Sequence, residues 1–98
     1  MAEPSARHLV VRVGGRFVLE LESNPTTGYR WEAEFDAGLL RLASHRFEPG
    51  ADRHGAGGRQ RFEFEGTRVG RGPLRFHYLS SWRPGTAGER EYDVAVLE

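Results

Sequence analysis

The stretch Phe17-Val18-Leu19-Glu20-Leu21-Glu22-Ser23-Asn24-Pro25-Thr26-Thr27-Gly28-Tyr29-Arg30-Trp31-Glu32-Ala33-Glu34-Phe35 decides the fold. Two runs of strict alternation flank a short interruption. Phe17, Leu19 and Leu21 alternate with Val18, Glu20 and Glu22. Beyond the interruption, Tyr29, Trp31, Ala33 and Phe35 share one parity, and Arg30, Glu32 and Glu34 the other. Successive side chains of a strand point to opposite faces, so each apolar set faces a core while the charged set faces water.

The same period extends outward in both directions. Leu9, Val11 and Val13 precede a Gly14-Gly15 turn signal. Asp36 to Leu40 has room for one helical turn, with Asp36 as its cap. Leu40, Leu42 and Phe47 suggest a strand over about residues 40–47, and residues 48–58 form a long polar loop containing Pro49 and four glycines. Gln60, Phe62 and Phe64 resume the alternation. A turn region at 66–73 follows, then Leu74, Phe76 and Tyr78, then a third long loop at 80–88. Tyr92, Val94 and Val96 close the chain. Short strands at regular spacing, with Gly/Pro turns and no amphipathic helix, predict an all-β, immunoglobulin-like sandwich of about seven to eight strands. With strands alternating in direction, the long loops cluster at one end. Residues 1–98 form one domain, without repeats or linkers.

Composition narrows the function. Hydrophobic residues make up 38% and aromatic residues 11%, enough for a packed core. Lys plus Arg equals Asp plus Glu at 14 each, so no nucleic-acid or membrane partner is expected. The absence of cysteine removes disulfides, thiolate metal sites and a cysteine nucleophile. No cofactor or metal is expected, and nothing demands more than a monomer. Residues 1–7 carry no apolar run. The expectation is therefore a cytoplasmic protein as the sequence stands, and a secreted or periplasmic one if a leader has been removed.

The three loops carry the candidate site. In the first, Pro25 fixes its own φ and restrains Asn24, and Gly28 permits positive φ. Thr26 and Thr27 are expected at its apex with hydroxyls on offer, ahead of Tyr29. A stiff loop loses little entropy on docking. In the second, Gly55-Ala56-Gly57-Gly58 has almost no side chains, so its backbone can approach another surface closely. A phosphate cradle is disfavoured, because no Lys-Ser/Thr and no helix follows. In the third, Ser80-Ser81-Trp82-Arg83-Pro84-Gly85 places an aromatic residue where interface anchors occur. Taken singly, each loop also reads as an ordinary turn, and Trp82 also reads as a cap on the core.

As an ordered set, the three segments resemble the chagasin-type cysteine protease inhibitors. That family is marked by an Asn-Pro-Thr-Thr-Gly-aromatic-x-Trp loop, a Gly-x-Gly-Gly loop and an Arg-Pro-Trp loop. The first stands intact at Asn24 to Trp31 and the second at Gly55 to Gly58. In the third the tryptophan matches at Trp82, while Ser80 and Ser81 stand where the family has arginine and proline. Arg53 and His54 precede the glycines where some relatives are apolar, which bears on subsite preference. The resemblance implies reversible, competitive inhibition of a papain-like cysteine protease by a three-part wedge. Residues 26–28 would lie over the catalytic cysteine and histidine, residues 55–58 along the non-primed subsites, and Trp82 on the primed side.

Two rival classes differ in what they need. An enzyme would draw on His8, His45, His54, His77, Ser80 or Ser81. The chain lacks a Gly-x-Ser-x-Gly elbow and metal-ligand histidine spacing, so the expectation is no enzyme. A non-inhibitory immunoglobulin-like binding module is the alternative, since fold alone decides no function.

Overall fold

In the computed structural model, the described residues are 6–24, 27–50 and 57–98. They form seven strands: β1 (Ala6–Arg12), β2 (Arg16–Ser23), β3 (Tyr29–Phe35), β4 (Leu40–Pro49), β5 (Gly58–Gly66), β6 (Gly70–Ser80) and β7 (Arg83–Leu97). One sheet has the order β1-β7-β6-β3 and the other β2-β5-β4. The all-β sandwich expected from alternation is the observed fold.

Burial follows the predicted parity. In β5, Gln60, Phe62 and Phe64 are buried, while Arg61, Glu63 and Glu65 lie on the outer side. Leu19 pairs with Phe62 and Phe17 with Phe64 across the β2–β5 ladder. From the facing sheet come Leu74 and Phe76 of β6 and Val94 and Val96 of β7, all with no exposed surface. Phe62 and Phe76 meet at 4.8 Å between ring centres, so the two sheets interlock at their middle. Each such side chain contributes about 1.5–3 kcal/mol of burial.

Three features depart from the alternation reading. First, residues 80–88 do not form a long loop. β6 runs to Ser80 and β7 starts at Arg83, so only Ser81 and Trp82 lie between them. The start of β7 is hidden from sequence because its hydrogen bonds to β6 hold it, not burial. β1 covers β7 only from Glu91 onward, so residues 83–90 form a free edge that tolerates Pro84. Second, β1 pairs in parallel with β7, and β2 joins the other sheet. The Gly14-Gly15 turn carries the chain between sheets and does not close a hairpin. Third, a bulge between Leu42 and Ser44 shifts the β4 register. Leu42 faces Phe64 before it and Phe47 faces Gln60 after it, so residues of opposite parity reach one face. The expected helical turn is present: Leu39 and Leu40 N–H both donate to Asp36 O, and Gly38 N–H donates to Asp36 Oδ1.

One buried polar group joins the sheets. β3 is the edge strand of its sheet, so half of its backbone groups have no neighbouring strand. Gln60, 4% exposed on β5, reaches across to that edge. Trp31 N–H donates to Gln60 Oε1 at 2.7 Å, and Gln60 Nε2 donates to Trp31 O at 3.1 Å. The amide acts as a one-residue strand. Its second N–H donates to His45 Nε2 at 2.9 Å, which requires neutral His45 with its proton on Nδ1. The Trp31 indole donates to Glu22 O at 2.8 Å, tying β3 to β2 as well. Among the described residues, no buried side-chain nitrogen or oxygen lacks a partner.

The outer faces carry cross-strand charge pairs, such as Arg71 with Asp93 at 3.0 Å. Asp93 is held below the usual carboxylate range by its hydrogen bond to Arg71. Such pairs add little stability each, but they keep the outer faces charged. His77 lies on the outer face, as parity predicts, with Nε2 at 2.9 Å from Glu34 and Nδ1 at 3.3 Å from Glu89. The Glu34 hydrogen bond, with help from Glu89, raises its pKa above 6.5. Desolvation, aided by the Arg30 charge, lowers that of His45 below 6.5.

Replacing Gln60 with leucine removes both partners of the Trp31 backbone, and we expect a loss of about 2–4 kcal/mol in urea unfolding. In an NMR titration His77 should titrate above pH 6.5 and His45 below it. The sign of the linkage differs for the two. The stabilisation from protonated His77 is complete below pH 6.5 and disappears as pH rises through its folded-state pKa. The stabilisation from neutral His45 is present above pH 6.5 and is lost as pH falls through its own. The stability gap between wild type and His77→Asn should therefore narrow from pH 6 to pH 8.

Candidate functional site

The strand ends that flank three connections lie at one pole of the sandwich. These connections are residues 24–28 between β2 and β3, 50–57 between β4 and β5, and 81–82 between β6 and β7. Strand register places them there. Ser23 and Pro49 both pair with Gly58, which brings the first two connections together in one sheet. Tyr29 pairs with Ser80, which brings the first and third together in the other.

The first connection is braced from within. Thr27 N–H and Thr27 Oγ1 both donate to Asn24 O, at 3.1 and 2.7 Å. Tyr29 N–H points back at Thr27 Oγ1, 3.4 Å away. The Thr27 hydroxyl therefore serves the loop itself, whereas sequence reading placed it on offer at the apex. Pro25 and Thr26 lie outside the described residues. Gly28 has φ +85°, as its type allows, and has a second reason to be glycine. A Cβ there would overlap Trp82 Nε1.

That overlap shows how the third connection is seated. Trp82 lies over Gly28 and near Tyr29, with ring centres 6.4 Å apart, and remains 62% exposed. It is therefore not a core cap. Its N–H donates to Ser80 Oγ at 3.2 Å, which shapes the two-residue turn. The Arg83 guanidinium lies 5.1 Å from the ring centre on a cation–π contact. Ser81 is exposed.

The second connection is closed at its neck by Gly50 N–H donating to Gly57 O at 2.9 Å. Arg53, His54, Gly55 and Ala56 lie outside the described residues. Gly57 stands beside Ser23 O, next to the first connection. Gly58 belongs to β5, and a side chain there would run into Glu48 O and the Phe47 ring. Its bareness is thus already required by the β4–β5 contact.

Sequence reading missed two contributors. Tyr78, on β6, accepts a hydrogen bond from Asn24 N–H at 3.2 Å through its hydroxyl, and its ring lies 4.8 Å from Trp31 and 5.4 Å from Tyr29. Its inward parity was the available signal, but the hydroxyl's reach to the opposite sheet was not. Trp31, Tyr78, Tyr29 and Trp82 thus form a ladder of rings from the core to the exposed tip. Arg83 is the other contributor, and nothing in the residue order signals its contact with Trp82.

Among the described residues, the enzyme candidates do not assemble. Both ring nitrogens of His77 face carboxylates, His45 stacks on Phe62 with ring centres 4.3 Å apart, and His8 Nδ1 faces Asp93 at 3.1 Å. Among the described residues, no three His, Asp or Glu side chains are grouped to hold a metal, and no helix is long and apolar enough to cross a membrane.

Comparison with known proteins bears on family and fold. Residues 10–96 match the model of the chagasin family of peptidase inhibitors, I42. Amoebiasin-1 of Entamoeba histolytica is 35% identical over 81 residues, which span 78% of this chain and 74% of that protein. The solution structure of amebosin superposes with a TM-score of 0.66 at 30% identity, over 91% of this chain and 87% of that one. The crystal structure of EhICP2, a cysteine protease inhibitor from Entamoeba histolytica, superposes with a TM-score of 0.86 at 18% identity, over 94% of this chain and 87% of that one. The chain accordingly belongs to the chagasin family, whose members are protein inhibitors of cysteine proteases and not enzymes.

Proposed function

We propose that the three-connection pole enters the active-site cleft of a papain-like cysteine protease and blocks it reversibly, one inhibitor to one enzyme. The observation that carries this reading is the seating of Trp82 on Gly28. It makes the first and third connections a single surface, with the neck of the second beside them. A wedge must keep its shape when pushed into a cleft, and this pole is braced by its own hydrogen bonds and rings.

The resemblance to the family assigns the roles. Thr26 to Gly28 cover the catalytic cysteine and histidine without presenting a scissile bond in register. The backbone of Gly55 to Gly58 lies along the non-primed subsites. Trp82 stacks on the primed side, with Ser80 and Ser81 beneath it. No covalent step is involved. A single neutral hydrogen bond adds only about 0.5–1.5 kcal/mol net, so tight inhibition requires all three connections and an interface near roughly 1,600 Å². Arg83 adds a positive charge beside Trp82 and has no carboxylate partner among the described residues. It favours targets whose primed side carries acidic groups.

Titration of active-site-quantified papain, or of a cathepsin L-like enzyme, should show stoichiometric loss of activity that recovers on dilution. Full activity in a large molar excess of inhibitor would refute the proposal. Trp82→Ala should weaken inhibition by about 30-fold, corresponding to roughly 2 kcal/mol, chiefly through faster dissociation. Gly28→Ala should weaken it too, because the new methyl group displaces Trp82 and strains a left-handed φ. Unchanged inhibition constants in both variants would rule out the shared surface.

A further inference from the structure

The first connection leaves one sheet at Ser23 and enters the other at Tyr29. A segment that crosses between sheets needs fixing at both ends. At its far end Tyr29 is fixed by the β3–β6 ladder. At its near end, Asn24 has left the β2–β5 ladder, which ends at Ser23. There the Asn24 N–H donates to the Tyr78 hydroxyl at 3.2 Å. Asn24 also supplies the carbonyl that takes both Thr27 bonds. The turn hangs on Asn24, and Asn24 is bonded to Tyr78.

Tyr78 is well suited to that task. Its half-buried ring packs against both Trp31 and Tyr29, with centres 4.8 and 5.4 Å away, which restricts its motion. A ring packed against two neighbours presents its oxygen within a narrow range of positions. The contact links the two sheets at the pole, since Asn24 follows β2 and Tyr78 belongs to β6.

We infer that Tyr78 is a positioning residue for inhibition: its hydroxyl latches Asn24 and holds the first connection in the shape that meets the protease. The inference rests on the proposed function. It makes a distinction in kinetics. Deleting the latch leaves the contacts of the finished complex in place but lowers the fraction of free inhibitor that is ready to bind. Apparent affinity falls by that fraction, and the loss lies in association.

Tyr78→Phe keeps the stacked ring and removes only the oxygen. Two measurements on the full chain test it: amide exchange at Asn24 by NMR in the free protein, and binding rates to a papain-like protease whose catalytic thiol is carboxamidomethylated. Asn24 exchange should quicken by about two- to tenfold, the range expected for one neutral hydrogen bond. Buried β5 and β6 amides should keep their rates. Association should slow by a similar factor, with dissociation unchanged. Unaltered Asn24 exchange would overturn the latch. Faster dissociation with unaltered association would overturn the positioning role and make Tyr78 a direct contact. If the wild-type protein binds no such protease, the inhibitory reading fails and takes the positioning role with it. Normal wild-type binding with unaltered variant kinetics defeats the positioning role alone.

Discussion

The two hydrogen bonds between the Gln60 amide and the Trp31 backbone are the constraint on which the rest of the molecule depends. A sandwich of four strands over three leaves an edge uncovered, and an uncovered edge has backbone groups without partners. Here the central strand of the smaller sheet fills that edge with a side chain. The bonds set the spacing of the sheets just below the loop-bearing pole. They also fix Trp31, whose indole then reaches Glu22 on β2. From Trp31 the rings of Tyr78, Tyr29 and Trp82 follow in order towards solvent. The exposed anchor is therefore connected to the core by packed matter, not by a free loop.

The two poles illustrate the difference between a connection that closes a fold and one that can do more. At the far pole Asp36 caps its own turn, and the Thr67 hydroxyl donates to Gly38 O at 2.9 Å, so those turns brace one another, and the large apolar side chains they leave exposed are valines, Val13 and Val69. At the near pole the bracing points inward in the same way, yet a tryptophan is left 62% exposed on top of it. Apolar surface of that size standing proud of a rigid base is a feature of interfaces. Arg83 lies over the same ring.

Much of this was legible from residue order, for a physical reason. Where one face of a strand is buried, register is enforced and alternation becomes visible, as in β2, β3 and β5. Alternation is silent where burial is absent. The first residues of β7 are exposed and read as loop, although β6 holds them. The β4 bulge could not be seen, because adding one residue leaves Leu42 and Phe47 looking like members of opposite faces. Parallel pairing of β1 with β7 depends on contacts at the two ends of the chain. Gln60 did leave a trace: a polar residue on the parity of Phe62 and Phe64. Its partner was not readable, since the bond runs to backbone on the other sheet. At the site, the ordered loop motifs were plain from sequence. The inward use of the Thr27 hydroxyl and of Gly58 needed geometry.

The central claim is that all three connections form one surface that meets a protease at once. Hydrogen exchange of the inhibitor, free and bound to a papain-like enzyme with a blocked catalytic thiol, tests it most directly. The account predicts slowed exchange together in peptides covering 24–28, 50–57 and 81–82, with no change around 13–15, 36–39 and 66–70. Protection confined to a single connection, or appearing at the far pole, would contradict it.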